Sequence, residues 1–185
     1  MQPVLSSVLL RGLGALAGDP EIASVVTDSR EAGPGSLFVC IRGERVDGHD
    51  YALRALEAGA AGVVVQRPVP GVPPEKCVQV PDALDAMIRL GANYRALYSP
   101  LLAGVTGSVG KTTTKEFCYA VFSAFGKTLR TEGNQNNEIG MPNTLFRLDK
   151  SVEYAVVEMG MQGLGEIRKL TLAAKLSLIH ISEPT

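Results

Sequence analysis

Three features that would each point to a particular class of protein are scarce in this sequence: cysteine, an excess of one charge, and long hydrophobic runs. Its three cysteines, Cys40, Cys77 and Cys118, are far apart and odd in number. They argue against a disulfide framework or a zinc knuckle and favour a reducing, cytoplasmic setting. The 18 basic and 19 acidic residues leave a formal net charge of -1. Such a balance excludes the basic surface that typically binds nucleic acid or anionic lipid.

The apolar runs are short. The longest, residues 60–65 and 101–105, fall far short of the ~20 residues that a membrane-spanning helix needs, so we expect no membrane insertion. Arg11 interrupts the apolar stretch near the N-terminus, and we therefore expect no signal peptide. A composition of 45% hydrophobic and 20% charged residues in a chain of 185 is typical of a soluble globular protein with one or two domains.

The first hundred residues alternate between strand-like and helix-like patterns. A proline-rich loop over 68–74 interrupts them, and Asp82 is placed to cap a following helix. We predict strands at 25–27, 37–41, 62–65 and 77–80, and helices at 49–58 and from 83 to about 97. Pro100 ends the segment, and we place a domain boundary there, which divides the chain into residues 1–99 and 100–175.

The alternation becomes more regular after Pro100. We predict strands at 101–105, 127–131 and 153–159, and helices at 111–125 and 165–174. In the first of these helices Phe117, Val121 and Phe125 recur at an interval of four. Strands that alternate with helices indicate an α/β fold with a mostly parallel sheet and helices on both faces.

A glycine-rich sequence joins the first strand and helix of this second region. It reads Thr106, Gly107, Ser108, Val109, Gly110, Lys111, Thr112, Thr113. Glycines let successive N–H groups point inward, and the start of a helix adds positive potential, so this junction is suited to bind phosphate. Lys111 would pair with the terminal phosphates, and the Thr112 hydroxyl would ligate Mg²⁺. The alternative is an ordinary glycine turn with a solvated lysine.

Glu158 ends the apolar strand predicted at 153–159. Ligands in doubly wound sheets bind at the carboxyl ends of strands, so an acid there is a candidate partner for the metal or its waters. The alternative is a solvated acid at a strand end.

Three segments together carry a resemblance to a known family. The phosphate loop, the stretch 131–142 with its asparagines, and Glu158-Met159-Gly160 occur in this order and spacing in the Mur ligase family. Upstream, Asp28-Ser29-Arg30 and the segments 34–39 and 42–50 are similar to the N-terminal domain of that family. The resemblance covers about residues 22–175.

The resemblance implies an ATP-dependent ligase of peptidoglycan synthesis, with ATP and Mg²⁺ as cofactors. It implies a UDP-substrate domain, followed by the first part of a phosphate-loop ATPase domain. Gly165-Glu166-Ile167 favours UDP-N-acetylmuramoyl-tripeptide and D-alanyl-D-alanine as the substrates, which are joined through an acyl phosphate. We expect a monomer when full length and a fragment that is inactive alone. Alternatives are a sister ligase that adds an amino acid, a folylpolyglutamate synthetase, or a non-catalytic nucleotide-binding module.

The resemblance also assigns site residues. Lys111 and Glu158 would be catalytic, and Thr112 and Glu158 would hold the metal. The expected substrate contacts are Ser29, Arg30, Arg42, Gly43, His49, Asn134, Asn136 and Asn137. Each could instead be local structure: asparagines favour turns, the arginines could be solvated, and His49 could begin a helix.

The last ten residues, 176–185, do not match the family. They resemble a translated sequencing adapter, so we expect them to be non-native. His180 lies in this stretch, and we do not take it as the metal-binding histidine of the family.

Overall fold

The computed structural model describes residues 1–161 and 163–182. They form two compact units, which divide between Asn93 and Tyr94. Within the described residues no helix is both long enough and apolar enough to cross a membrane.

The first unit is built on a parallel sheet of four strands in the order β3-β4-β5-β6. Its strands and helices are β1 Val4–Leu5, α1 Ser6–Leu9, β2 Glu21–Ile22, β3 Ser24–Val26, β4 Ser36–Val39, α2 Ala52–Glu57, β5 Gly62–Val65, β6 Cys77–Gln79 and α3 Ala83–Arg95. β1 and β2 form a separate antiparallel pair. All four residues of β4 and of β5 are buried, as expected for strands covered on both faces.

The expected strands and helices of this unit are all present, with ends that differ by a few residues. Asp82 accepts a hydrogen bond from the Asp85 N–H at 2.8 Å, which confirms its position as the cap of α3. The short elements β1, α1 and β2 were not predicted. Their two to four residues are too few to show a period in the sequence.

The second unit contains another parallel sheet of four strands, in the order β10-β7-β9-β8. Its elements are β7 Leu101–Gly107, α4 Lys111–Ser123, β8 Thr128–Arg130, α5 Gly140–Leu145, β9 Tyr154–Glu158, α6 Glu166–Ala174 and β10 Leu178–Ser182. The α/β class with mostly parallel sheets is therefore confirmed. From β7 the chain crosses to β8 at one edge of the sheet, and from β9 it crosses past β7 to β10 at the other edge, so the connections that leave the neighbouring strands β7 and β9 run in opposite directions. Such a switch point creates a crevice at the carboxyl ends of the strands.

Two features of this unit differ from what the pattern suggested. The spacing of Phe117, Val121 and Phe125 identified α4, but the helix ends at Ser123, before Phe125, and these three residues are 69%, 57% and 73% exposed. The side of α4 that packs on the sheet instead carries the fully buried Lys115. Helix α5 was not predicted, because its six residues include Gly140 and Pro142, which are poor helix formers.

Strand β10 comes from the segment that we expect to be non-native. It pairs in parallel with β7, so that His180 lies opposite Val105 and is exposed. Residues 183–185 lie outside the described part of the chain. The interpretation of residues 176–185 as a non-native tail stays a prediction.

Candidate nucleotide site

The glycine-rich loop lies between the end of β7 and the start of α4. Gly107 has a φ of 136° and Gly110 a φ of 80°, values that residues with a side chain rarely adopt. Gly110 directly precedes the first helical residue, Lys111, and Ser108, Val109 and Gly110 are exposed to solvent. The loop therefore has the form that binds an anion: a turn made possible by glycine, open to solvent, at the positive end of a helix of 13 residues.

The Lys111 side chain folds back over this loop. Its Nζ donates to the Gly107 carbonyl oxygen at 2.8 Å and lies 3.4 Å from that of Ser108. These contacts are with neutral carbonyl groups. A phosphate oxygen in the loop would be a stronger acceptor for the same ammonium group, because it adds a negative charge to a bond whose donor is already positive.

Glu158 is brought to the loop by the order of the strands. It is the last residue of β9, it lies opposite Val105 of β7, and its side chain is 3% exposed. The carboxylate oxygen Oε2 accepts a hydrogen bond from Thr112 Oγ1 at 3.0 Å. The two residues proposed to hold the metal are 46 positions apart in the chain, and the fold places them in direct contact.

The three candidate asparagines have different positions. Asn136 Nδ2 donates to Glu158 Oε1 at 2.9 Å, so this residue belongs to the site. Asn137 Oδ1 accepts from the N–H groups of Ile139 at 3.2 Å and Gly140 at 2.8 Å, so its side chain stabilises the turn that leads into α5. Asn134 is exposed, and its backbone carbonyl accepts from the Asn136 N–H at 2.8 Å.

Two residues that the sequence reasoning did not select also contact Glu158. The buried Thr131 Oγ1 accepts from the Glu158 backbone N–H at 3.0 Å. Lys115 Nζ lies 3.7 Å from Glu158 Oε2. Helical spacing could have identified Lys115, because residues three apart share a face and Lys115 follows Thr112 by three. No local pattern identifies Thr131.

The donor set fits a magnesium ion. Thr112 Oγ1, the Glu158 carboxylate and the Asn136 amide oxygen are hard oxygen donors, which Mg²⁺ prefers. In the described part of the chain no group of three or more His, Cys, Asp or Glu residues could hold a metal by itself. Few protein ligands are typical of a Mg²⁺ ion that completes its coordination with phosphate and water.

In the first unit, His49 is buried, and both of its ring nitrogens contact polar groups of the protein. It is 3% exposed; its Nδ1 lies 2.6 Å from Asp47 Oδ1, and its Nε2 accepts from the Gln66 N–H at 2.9 Å. The His49 N–H and ring, together with Arg67, hold the pKa of Asp47 well below its usual range. Both ring nitrogens are already engaged, so a substrate contact at His49 would have to replace one of these bonds.

The other candidates of the first unit lie on its surface. Ser29 and Arg30 are in a 3₁₀ turn, and the exposed Arg30 guanidinium bonds to Asp28, lowering the pKa of that carboxyl to about 2. Arg42 and Gly43 are exposed in a tight loop, where the Gly43 N–H donates to the Val46 carbonyl at 2.9 Å. These residues are accessible to an anionic ligand, and their substrate contacts stay a prediction.

Comparison with protein-family models gives two matches. Residues 21–95 match "Mur ligase family, catalytic domain", and residues 105–179 match "Mur ligase middle domain". Among individual proteins, the UDP-N-acetylmuramoyl-tripeptide--D-alanyl-D-alanine ligase of Synechocystis sp. is 46% identical over 162 residues, which are 86% of this chain and 36% of the relative. The enzyme of the same name from Escherichia coli is 43% identical over 155 residues, 83% of this chain and 34% of the relative.

Solved structures give a concordant result. MurF from Acinetobacter baumannii superimposes with a TM-score of 0.85 at 32% identity, covering 97% of this chain and 40% of that one. MurF from Thermotoga maritima in complex with ADP has a TM-score of 0.75 at 34% identity, covering 82% of this chain and 35% of that one. The chain thus spans about a third of the length of the relatives that it matches.

Proposed function

Because this chain belongs to the Mur ligase family, we propose that it is the first part of an ATP-dependent ligase that adds D-alanyl-D-alanine to UDP-N-acetylmuramoyl-tripeptide in peptidoglycan synthesis. The two substrates are those in the names of the relatives at 46% and 43% identity. The first domain, residues 1–99, would hold the UDP end of the acceptor, and residues 100–175 would be part of the ATP-binding domain. The cytoplasm, where reduced cysteines are stable, is the proposed location.

The observation that supports this proposal most directly is the contact between Thr112 and Glu158. Their 3.0 Å hydrogen bond joins the first turn of the helix behind the glycine loop to the acid at the end of the neighbouring strand. A ligase of this kind needs a phosphate cradle and a metal-holding acid within reach of each other. The MurF structure with ADP, at 34% identity, supports a nucleotide as the ligand.

In the proposed reaction, the acceptor carboxylate attacks the γ-phosphorus of ATP, forming an acyl phosphate and releasing ADP. The incoming amine then attacks the acyl carbon, forming the amide bond and releasing phosphate. Lys111 and the N–H groups of the glycine loop would hold and orient the nucleotide phosphates, which carry the developing charge. Thr112 and Glu158 would hold Mg²⁺, which neutralises phosphate charge when bound.

Asn136 would keep the Glu158 carboxylate oriented through its 2.9 Å bond to Oε1. Asn134 and Asn137 are proposed as further contacts to the substrate or to metal-bound water. In the first unit Ser29, Arg30, Arg42, Gly43 and His49 are proposed to contact the uridine nucleotide. The full-length protein is proposed to act as a monomer.

The nucleotide site can be tested with the 185-residue chain. Calorimetric titration with Mg·ADP should show binding that Lys111→Ala weakens about tenfold or more, because the ammonium partner of the phosphates is lost. Lys150→Ala is the matched control, since Lys150 is exposed in the same unit. Equal affinity of all three proteins would contradict a role of the loop in nucleotide binding.

The ligase activity needs the full-length protein. We expect product from UDP-N-acetylmuramoyl-tripeptide, ATP and D-alanyl-D-alanine, and none when single amino acids replace the dipeptide. A preference for a single amino acid would assign the protein to a sister ligase. The 185-residue chain itself should form no product, and detectable ligation by it would contradict its assignment as a fragment.

A further inference from the structure

Lys115 is a buried cation for which the proposed reaction gives no role. It is 1% exposed, and no other lysine of the described residues is buried. Burying an ammonium group is costly unless opposite charges surround it, and replacing a whole buried ion pair by apolar residues is often neutral or stabilising. A charge in this place therefore calls for an explanation beyond packing.

The ammonium group of Lys115 lies between two carboxylates. Nζ is 3.7 Å from Glu158 Oε2 and 3.3 Å from Glu116 Oε1. Glu158 is buried, whereas the Glu116 side chain is 44% exposed and is paired with Arg130. A series of alternating charges therefore leads from the surface to the candidate metal site: Arg130, Glu116, Lys115 and Glu158.

Lys115 approaches the same carboxylate oxygen as Thr112. Thr112 Oγ1 and Lys115 Nζ both face Glu158 Oε2 because the two residues are three apart on α4. A divalent metal held by Thr112 and Glu158 would have this ammonium as a close neighbour, and like charges repel strongly in a partly buried site. The lysine stem is flexible, and Glu116 offers its charge an alternative partner.

We propose that Lys115 is a tethered cation that competes with the divalent metal for Glu158, and that Glu116 receives the ammonium group when the metal binds. This inference rests on the proposed function, because it takes Glu158 as a metal-holding residue. It has a consequence for the order of binding. Metal alone meets a carboxylate that is already neutralised, whereas metal that arrives with nucleotide phosphates carries negative charge that offsets its repulsion with the lysine. The metal should therefore bind together with the nucleotide and not before it.

The test is the affinity of the 185-residue chain for Mn²⁺, measured by electron paramagnetic resonance of the free ion, with and without saturating ADP. Lys115→Met should bind Mn²⁺ about tenfold more tightly than the unchanged chain, because the competing charge is gone. A residue with a merely structural role would weaken the site or leave it unchanged. Lys150→Met is the control for the same substitution at an exposed position, and it should show no change.

Glu116→Gln provides a second measurement of opposite sign. With its alternative partner lost, Lys115 should pair more fully with Glu158, and Mn²⁺ affinity should fall several-fold. In the Lys115→Met background the same change should have less than a twofold effect, because Glu116 acts through Lys115. Glu116 is partly exposed, so this variant should fold even if Lys115→Met does not, and thermal melting will show which variants are folded.

Several results would overturn the inference. They are weaker or unchanged Mn²⁺ binding by folded Lys115→Met, unchanged binding by Glu116→Gln, or an equal effect of Glu116→Gln in both backgrounds. If the chain binds ADP in a manner that depends on Lys111 but one of these overturning results is obtained, the proposed nucleotide site stands without the competition. If no protein binds Mn²⁺ even with ADP present, the proposed metal site and this inference fail together.

Discussion

Thr131→Val should damage the candidate site without changing its shape. Strand β8 ends at Arg130, so the next residue supplies a side-chain oxygen for the N–H of Glu158 in the adjacent strand. Thr131 is 0% exposed and Glu158 is 3% exposed, so water cannot easily replace the lost acceptor. Valine has nearly the same volume as threonine, and the substitution removes the acceptor while leaving no large cavity.

The expected cost follows from the burial of the N–H group. Leaving a buried donor unsatisfied costs about 1–3 kcal/mol, more than the net value of the hydrogen bond itself. If the Glu158 amide exchanges by local opening, its protection should fall by about fivefold to more than a hundredfold, at 1.4 kcal/mol for each factor of about ten. The matched control is Thr128→Val, because Thr128 is half-buried and bonds to the carbonyl of Gly126 at 3.0 Å.

The assay is native-state hydrogen exchange of the 185-residue chain, followed at the Glu158 amide by nuclear magnetic resonance. Thr131→Val should lower protection at this amide more than at Ala155, which lies earlier in the same strand. Thr131→Ser, which retains the hydroxyl group, should restore most of the protection. Unchanged protection at Glu158 in Thr131→Val, with the fold intact, would show that the Thr131 hydroxyl does not stabilise this amide.

Three further predictions concern residues outside the loop. Asn137→Ala should destabilise the chain by about 1 kcal/mol in thermal melting because the N–H groups of Ile139 and Gly140 lose their acceptor, whereas Asn134→Ala should cause almost no change; equal effects would contradict this role of the Asn137 side chain. His49→Ala should cost about 2–4 kcal/mol in urea unfolding, since it leaves a cavity and removes the acceptor of the Gln66 N–H, and a cost below about 1 kcal/mol would contradict its structural role. The pKa of Asp47 is lowered in the folded state, chiefly by the His49 N–H and side chain. The stability that Asp47 contributes should be present above about pH 4 and lost as the pH falls below that value. In urea unfolding, Asp47→Asn should therefore lose more stability at pH 6 than at pH 3. An equal loss at both pH values would contradict this pH dependence.

The sequence predicted the strands and helices well where several residues shared one period. It predicted α4 from Phe117, Val121 and Phe125, but not which side of α4 is buried. An interval of four places residues on one face of a helix, yet only the neighbouring strands determine whether that face is covered. Here the covered face carries Lys115, whose charge would normally indicate the exposed side.

The asparagine-rich segment shows a similar limit within the candidate site. Asn134, Asn136 and Asn137 were equivalent as candidates, because the same side chain suits a turn, a cap or a ligand contact. The backbone path around the start of α5 separates them. Asn137 points to the first N–H groups of that helix, and Asn136 points to Glu158. Their assigned roles toward a substrate stay predictions.

The local features of this protein can be derived from its sequence alone: the alternation of strands and helices, the glycine positions that allow the loop to turn, and Lys111 and Thr112 at the start of a helix. These features depend on backbone preferences over a few neighbouring residues, and the residue types at those positions set the preferences. The position of β9 between β7 and β8, which brings Glu158, Thr131 and Asn136 to the loop, is visible only in the folded chain. Strand order follows from the burial of whole faces and from pairing between segments tens of residues apart, and no local pattern specifies it.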